Sequence, residues 1–513
     1  MTEPIDSFPV LSAILLTPAA AVFLLLFVPA ASKKTVKLLS AAAMGVSFIL
    51  SLYVYAAYDT AAGGMQFTEF VPWVTDLGIA YSVGVDGLSL PMLMLTNLIG
   101  LAAVFASWNI SHRPKEFFIL LLLLLIGVMG TFIACDLFIF LLCYELVVIP
   151  IYIMVIIWGS SRRVTKEYAG MKLTIYLLIG SAFMLVGVIA LYVQAFPVGM
   201  RTFSMAALAP AGSALSSEVQ IGIFLLLLIG FGTLLSMFPF HSWSPDGYAG
   251  APTAVSMIHA GVLKKIGGYG LIRLGIAVLP AGALFWAPLI LALGIANVLY
   301  AAYIAVVQKD LKYVVGYSSV SHMGYVLLGL AALNQLSLTG AVANMVAHGV
   351  MSALFFAMIG FVYEKTHLRN VDEIRGLAHQ MPRVAFGFML AGMCSLGLPG
   401  LIGFVPEYTI FLGLFRAHPV LAVLAVLGVV FTAIYILRVL QKILFGPRDN
   451  GFNKYADMRG AEMVPLVLLG GVLILCGIFP HLLMDVVNSG TAQFAPLLKA
   501  MSGAAILFNQ GGM

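Results

Sequence analysis

The chain has 513 residues, of which 62% are hydrophobic and only 9% charged, with a formal net charge of +5. Soluble domains carry about 25% charged residues, so a surface this poor in charge belongs in lipid. A soluble enzyme, a nucleic-acid binder and a disordered scaffold are excluded, and the positive charge is no nucleic-acid signal, because it sits in short connections between apolar runs.

A helix needs about 20 apolar residues to cross the hydrocarbon layer. Fourteen such runs follow one another at 10–30, 37–57, 87–108, 117–134, 137–158, 170–194, 219–238, 253–279, 284–306, 311–331, 338–362, 384–412, 419–445 and 463–487. The expected fold class is therefore an all-α polytopic membrane protein with about 14 transmembrane helices. Met1 to Ser7 holds two acids and no base, so no cleavable signal peptide is expected. Only 58–86 and 195–218 are long enough for structure outside the membrane.

Orientation follows from the asymmetry of Lys and Arg. With the connections sorted onto two sides, one side carries 18 basic residues, among them Lys33, Arg162, Lys309, Arg369, Arg448 and Lys454. The other carries 4, namely Arg201, Arg273, Arg416 and Lys499, and Lys172, Lys264, Lys265 and Arg438 lie within spans. Both termini are placed on the outer side, together with the connection 58–86, and a bacterial inner membrane is the expected location.

An ionisable group at mid-bilayer costs about 2.5 kcal/mol or more, so its default reading is functional. Glu145 lies deep in span 5. Lys264 and Lys265 lie in the middle of span 8, with His259 one to two turns earlier. His322 lies in span 10, His348 in span 11 and Glu407 in span 12. One or two titratable groups per helix at similar depth are what a lateral proton relay requires. The plainer readings are that a buried His is a hydrogen-bonded core residue and that a buried Lys pairs with a carboxylate. Lys264 and Lys265 are adjacent, so they point about 100° apart and cannot both face one channel. Asp136 and Lys172 lie near span ends, where the cost is lower, and Arg438 and Lys442 are read as snorkelling.

Two spans are interrupted by Gly and Pro: span 7, which runs into Phe238-Pro-Phe-His-Ser-Trp-Ser-Pro-Asp246, and span 12, at Ser395-Leu-Gly-Leu-Pro-Gly-Leu-Ile-Gly-Phe-Val-Pro-Glu407. A matched pair of broken helices five spans apart points to an internal repeat with a site at each break. Freed backbone groups at a break bond water or neighbours, which favours a hydrated path, and the bland reading is a packing kink. The four cysteines, Cys135, Cys143, Cys394 and Cys476, form no C-x-x-C pair and read as small core residues. No phosphate loop and no metal-spaced Cys/His cluster is present, so this chain is expected to bind no cofactor and to perform no redox chemistry itself.

The strings Gly84-Val-Asp-Gly-Leu-Ser-Leu-Pro91, Tyr144-Glu145 with Pro150 and Trp158-Gly159, Pro239-Phe-His-Ser-Trp-Ser-Pro-Asp246, Ala251-Pro-Thr-Ala254, Lys265-Ile-Gly-Gly-Tyr-Gly-Leu-Ile-Arg273, Asp310-Leu-Lys312, Tyr317-Ser-Ser-Val-Ser-His-Met-Gly324 and Gly397-Leu-Pro-Gly400 with Glu407 span nearly the whole chain. In them it resembles the antiporter-like membrane subunits of respiratory complex I, closest to the subunit M type. The resemblance implies fourteen helices in one transmembrane domain. Helices 1–3 would fill 1–116, two inverted five-helix repeats 117–279 and 284–445, and helix 14 463–487. It implies proton translocation through Glu145, Lys265, His322, His348 and Glu407, with Asp136, Lys172, His241 and Asp310 as secondary residues. It also implies neighbours of the L and N type, lipid contact, and a complex that carries NADH, FMN, iron–sulfur clusters and quinone on other subunits. Few residues follow Val487, which disfavours an L-type chain with its lateral helix.

One departure stands out. The family usually has a lysine in span 7, seven residues before the His of the Phe-His-Trp string, and counting back from His241 lands on Leu234. No Lys or Arg lies between 219 and 252, while span 8 carries the additional Lys264 and His259. Either Lys264 or His259 takes over the missing charge, or the first half-channel is uncoupled and the chain acts as a structural spacer. Related readings are a subunit of a multisubunit Na⁺/H⁺ antiporter and the membrane arm of a hydrogenase.

Overall fold

The structure, a computed structural model, describes residues 8–447 and 455–501; Met1 to Ser7, Arg448, Lys454 and the end of the chain lie outside the described residues. In lipid every backbone N–H and C=O must be satisfied within its own segment, and an apolar chain meets that demand as helices. The helices run α1 Val10–Phe27, α2 Lys33–Ala57, α3 Ser89–Ala106, α4 Pro114–Ile133, α5 Leu137–Trp158, α6 Lys166–Ala195, α7 Met205–Ser213, α8 Ser217–Leu235, α9 Trp243–Gly250, α10 Thr253–Ile258, α11 Lys265–Gly270, α12 Pro280–Val307, α13 Leu311–Ala331, α14 Gln335–Thr366, α15 Leu377–Gln380, α16 Pro382–Ser395, α17 Phe404–Ala417, α18 Pro419–Leu444, α19 Val464–Ile478 and α20 His481–Ala492. Among the described residues twelve helices are long and apolar enough to cross a membrane. Two further apolar stretches are in pieces. Residues 253–276 wind as α10, a π turn at His259–Leu263, α11 and a second π turn at Leu271–Ile276. Residues 382–417 are split into α16 and α17.

The all-α expectation misses one element. The connection after α2 folds into an antiparallel hairpin, β1 Gln66–Val74 and β2 Ile79–Val85, pinned by Glu69, which accepts from the N–H of Leu11 at 2.8 Å. The other long connection contains α7.

Burial is graded from the centre outward. α14 is buried continuously from Ser337 to Val362 and α13 is buried nearly throughout, whereas only about a third of α1, α2, α18 and α19 is buried. At about 1.5 Å per residue the 32 residues of α14 reach about 48 Å, so it serves as the axis around which the others pack. The exposed side chains of the outer helices are apolar, such as Phe23, Ile49, Val423 and Val467, as a lipid-facing surface demands.

Two local patterns occur twice. The Asp136 carboxylate caps α5 by accepting from Phe138 N, and Asp310 caps α13 by accepting from Lys312 N, both at 2.8 Å. Beside each cap the chain makes a two-bond bridge: Leu137 N to Phe203 O and Met205 N to Cys135 O in the first case, Leu311 N to Arg369 O and Val371 N to Lys309 O in the second. The ends of α8 and α16 also match. Ser236 and Gly397 both turn left-handed, at φ 64° and 66°. The following residues, Met237 and Leu398, donate back to the carbonyls of Gly232 and Met393. This is the closure that satisfies the last carbonyls of a helix.

Candidate functional site

The π turn at His259–Leu263 sets the centre of the site. Its widened turn frees carbonyls from the regular ladder, a feature that recurs at functional positions in helices. Lys265 Nζ donates to the carbonyl of Ala260 within this turn. The same ammonium meets His348 Nδ1 at 2.8 Å. The rings of His348 and His322 lie 5.4 Å apart, and His322 Nδ1 faces Glu407 Oε1 at 3.2 Å. That last contact is a close approach rather than an aligned hydrogen bond, since His322 Nδ1 has no partner of good geometry. Ser395 Oγ lies 3.2 Å from His322 Nε2 and orients the ring. All four groups are buried, Glu407 at 6% exposure. Lys265, His348, His322 and Glu407 thus come from four segments and form one row, running from the middle of the chain to the break between α16 and α17.

Lys264 belongs to a second group. It is completely buried, and its Nζ donates to Ser244 Oγ at 3.0 Å and Ser319 Oγ at 3.1 Å, with the Tyr248 ring centroid at 5.2 Å. No carboxylate pairs with it among the described residues. His259 stacks edge-on to Trp243 at 5.0 Å, and both of its ring nitrogens are buried without partners. Leu234 is buried and apolar. Lys264 therefore reaches the segment after the first break from the neighbouring helix, where span 7 itself supplies no cation.

Below that break lies an ion pair. Lys172 Nζ donates to Asp246 Oδ2 at 2.7 Å, and the Tyr313 hydroxyl donates to Oδ1 at 2.7 Å. His241 is buried against Phe238 and Tyr300, its Nδ1 has no partner, and the charges of both Lys264 and Lys172 act on it. The end of α9 is held by two cations: Lys312 Nζ donates to Ala251 O at 2.6 Å and Arg369 Nη1 to Ala249 O at 2.8 Å. Such placement of cations on the last carbonyls favours a helix terminus. Arg369 also pairs with Asp310 at 3.2 Å.

Glu145 stands apart. Its position on α5 is exposed, in a stripe with Leu142, Leu146 and Ile149, while the adjacent Tyr144 is buried. Asp136 and Asp310 act as helix caps, and the four cysteines are free thiols, with Cys394 buried. Arg438 reaches the carbonyl of Gln308 at 2.7 Å and Lys442 meets Asp372 at 2.5 Å, as side chains that bend toward a span end do. Elsewhere, Arg273 of the second π turn pairs with the buried Asp86, which also accepts from Gln493 at 3.0 Å. Sequence reasoning did not single out Asp246, Ser244, Ser319 or Ser395. Superposing the two breaks would have found Asp246, which lies ten residues after Ser236 as Glu407 lies ten after Gly397.

Comparison with known proteins agrees with this architecture. Residues 134–432 match the family described as NADH:quinone oxidoreductase/Mrp antiporter, TM. The chain is 36% identical over 522 residues to NAD(P)H-quinone oxidoreductase chain 4 1 of a Synechococcus species, covering 99% of this chain and 96% of the relative. It is 38% identical over 448 residues to a chain 4 protein of Microcystis aeruginosa, covering 86% and 80%. A chain of respiratory complex I from Thermus thermophilus superposes with a TM-score of 0.84 at 28% identity, over 95% of this chain and 99% of that one. A chain of the Mrp complex from a Dietzia species shares the fold, with a TM-score of 0.82 at 22% identity, over 96% and 99%.

Proposed function

The chain belongs to the NADH:quinone oxidoreductase/Mrp antiporter membrane family, as an antiporter-like membrane-arm subunit related to chain 4 of the NAD(P)H–quinone oxidoreductases, and from that premise we propose that it moves protons across the membrane along its buried row of Lys, His and Glu. The interrupted stretches at 253–276 and 382–417 count as crossings in this reading, which gives fourteen spans. The repeated caps, bridges and left-handed helix ends support two inverted repeats over 117–279 and 284–445.

The single observation that carries the reading is the row Lys265–His348–His322–Glu407. Each group is within contact or ring-stacking distance of the next, and the row has no structural purpose that apolar side chains would not serve better. A buried ionisable pair is weak evidence for stability, because desolvation offsets the Coulomb gain. Its assembly from four helical segments speaks for proton transfer. The step is a plain proton exchange: Lys265 Nζ gives its proton to His348, the proton passes to His322, and Glu407 takes it from Nδ1. A charge shift in a neighbouring subunit changes the affinity of the first site and biases the direction. NADH, FMN, iron–sulfur clusters and quinone belong to other subunits in this reading. L- and N-type neighbours flank the chain, in a bacterial inner membrane with both termini outside. The outward stripe containing Glu145 suits the face against such a neighbour, since a carboxylate at that depth does not face lipid.

The test is Glu407→Gln in the assembled complex in sealed vesicles, with proton translocation and quinone reduction followed together. Fewer protons per electron pair is the expected result; an unchanged ratio refutes the reading. A second reading, a subunit whose first half no longer moves protons, is favoured by Leu234 and the outward Glu145. Lys264→Ala and His259→Ala separate the two: undiminished translocation in both leaves the first half uncoupled.

A further inference from the structure

Resting on that reading, we infer that the first half of the chain takes up its proton at Asp246, the counterpart in the first break of Glu407 in the second. Ser236 and Gly397 adopt the same left-handed conformation and the same backbone closure, and ten residues later each chain segment places a single carboxylate. Both carboxylates meet a base from another helix. Glu407 faces His322 of α13, and Asp246 faces Lys172 of α6.

Chain direction sets the two acids on opposite sides. The end of α9 meets the basic connection after α5, where Gly250 O accepts from Ser160 N at 2.9 Å. Five crossings later, α17 ends on the other side. Asp246 therefore lies toward the Lys- and Arg-rich side and Glu407 toward the opposite one, as uptake and release of a proton require.

The surroundings also differ in the expected sense. Asp246 and Lys172 keep 18% and 19% of their side chains exposed, so a proton from outside reaches them, whereas Lys264 beyond them has no exposure. His241 is buried at 6% exposure, with an unpartnered Nδ1, and lies close enough to both lysines for the charges of Lys264 and Lys172 to act on it. A proton arriving at Asp246 Oδ2 replaces the bond from Lys172. It then passes to His241 and on to Lys264, which accepts it in its neutral amine form after releasing its own proton, and whose Ser244 partner is two residues from Asp246 in sequence. The other groups facing Asp246 are the Tyr313 hydroxyl, the Tyr317 hydroxyl and, over the Tyr313 ring at 4.4 Å, the Arg163 guanidinium. The structure thus moves the first titrating acid from Glu145, which is outward, to Asp246.

The experiment uses the assembled complex in vesicles and compares Asp246→Asn with Glu407→Gln. The inference predicts that Asp246→Asn lowers the protons translocated per electron pair to the level of Glu407→Gln, and that Asp246→Glu keeps the wild-type ratio. A normal ratio in Asp246→Asn beside a lowered one in Glu407→Gln overturns this inference and leaves the proton-pump reading standing. Normal ratios in both overturn both. The double variant Asp246→Asn/Lys172→Gln addresses a purely structural ion pair, because restored translocation there overturns the inference and continued loss supports it. Should Asp246→Asn fail to assemble, Tyr313→Phe removes only the hydroxyl donor from the carboxylate. A shifted pH profile of translocation supports the inference, and an unshifted one overturns it.

Discussion

Replacing Lys264 by Met separates a working lysine from a structural one, because stability and activity should move in opposite directions. The ammonium donates two hydrogen bonds to neutral serines and sits 5.2 Å from the Tyr248 ring. Hydrogen bonds to a charged group contribute about 1.5–3 kcal/mol each, and a desolvated cation–π contact about 2 kcal/mol. Against that sum of roughly 5–8 kcal/mol stands the desolvation of a fully buried ion with no counter-charge, which costs several kcal/mol even after relaxation. The terms nearly cancel. Met fills a similar volume, and the two serine hydroxyls can turn to nearby carbonyls. The melting temperature of the purified complex should therefore stay level or rise, while protons per electron pair fall to the level of Glu407→Gln. Thermal denaturation and vesicle acidification measure the two. A complex that melts earlier yet translocates normally would show that Lys264 holds the fold together and carries no proton.

Four further outcomes follow from the same geometry. Arg273→Met leaves Asp86 buried without its cation, and breaking such a pair costs about 3–5 kcal/mol, so yield and melting temperature of the complex should drop. Ser395→Ala removes the only group bonded to His322 Nε2 among the described residues; about 1 kcal/mol of stability is lost, and the pH profile of translocation shifts because the ring orientation relaxes. Ser236→Gly relieves a left-handed non-glycine residue and should stabilise by about 1 kcal/mol, whereas Gly397→Ala adds strain and brings a Cβ within 3.0 Å of Glu407, so thermal melting should move in opposite directions for the two. Glu145 makes no hydrogen bond or ion pair among the described residues, so Glu145→Gln should change the melting of the isolated chain by less than about 0.5 kcal/mol while lowering the fraction of chain retained with neighbouring subunits on detergent extraction.

Twelve of the fourteen expected spans appear as long helices, legible because a run of about 20 apolar residues has few other uses, while the stretches at 253–276 and 382–417 are in pieces. The ionisable residues were legible for the complementary reason, being too costly in lipid to be incidental. The direction of Glu145 was not. α5 is apolar all round, so no stripe in its sequence marks an inward face, and outward and inward placements of residue 145 read alike. The π turns around Lys264 were equally hidden, since one extra residue per turn leaves no compositional mark. The hairpin at 66–85 was missed because Pro72 and a cluster of apolar residues blur the period-two alternation of a half-buried strand. Lys264 was noticed as a surplus charge, but its two serine partners come from distant segments that only the fold brings together.

The account rests on protons passing through His348, which touches Lys265 on one side and lies with its ring tilted against His322 on the other. The most direct measurement is the number of protons translocated per electron pair by vesicles bearing the complex with His348→Leu, with assembly verified by co-purification. A ratio below that of the unaltered complex at undiminished subunit content is the predicted result. An unaltered ratio would mean that protons cross elsewhere, and the buried row would have to be read as packing.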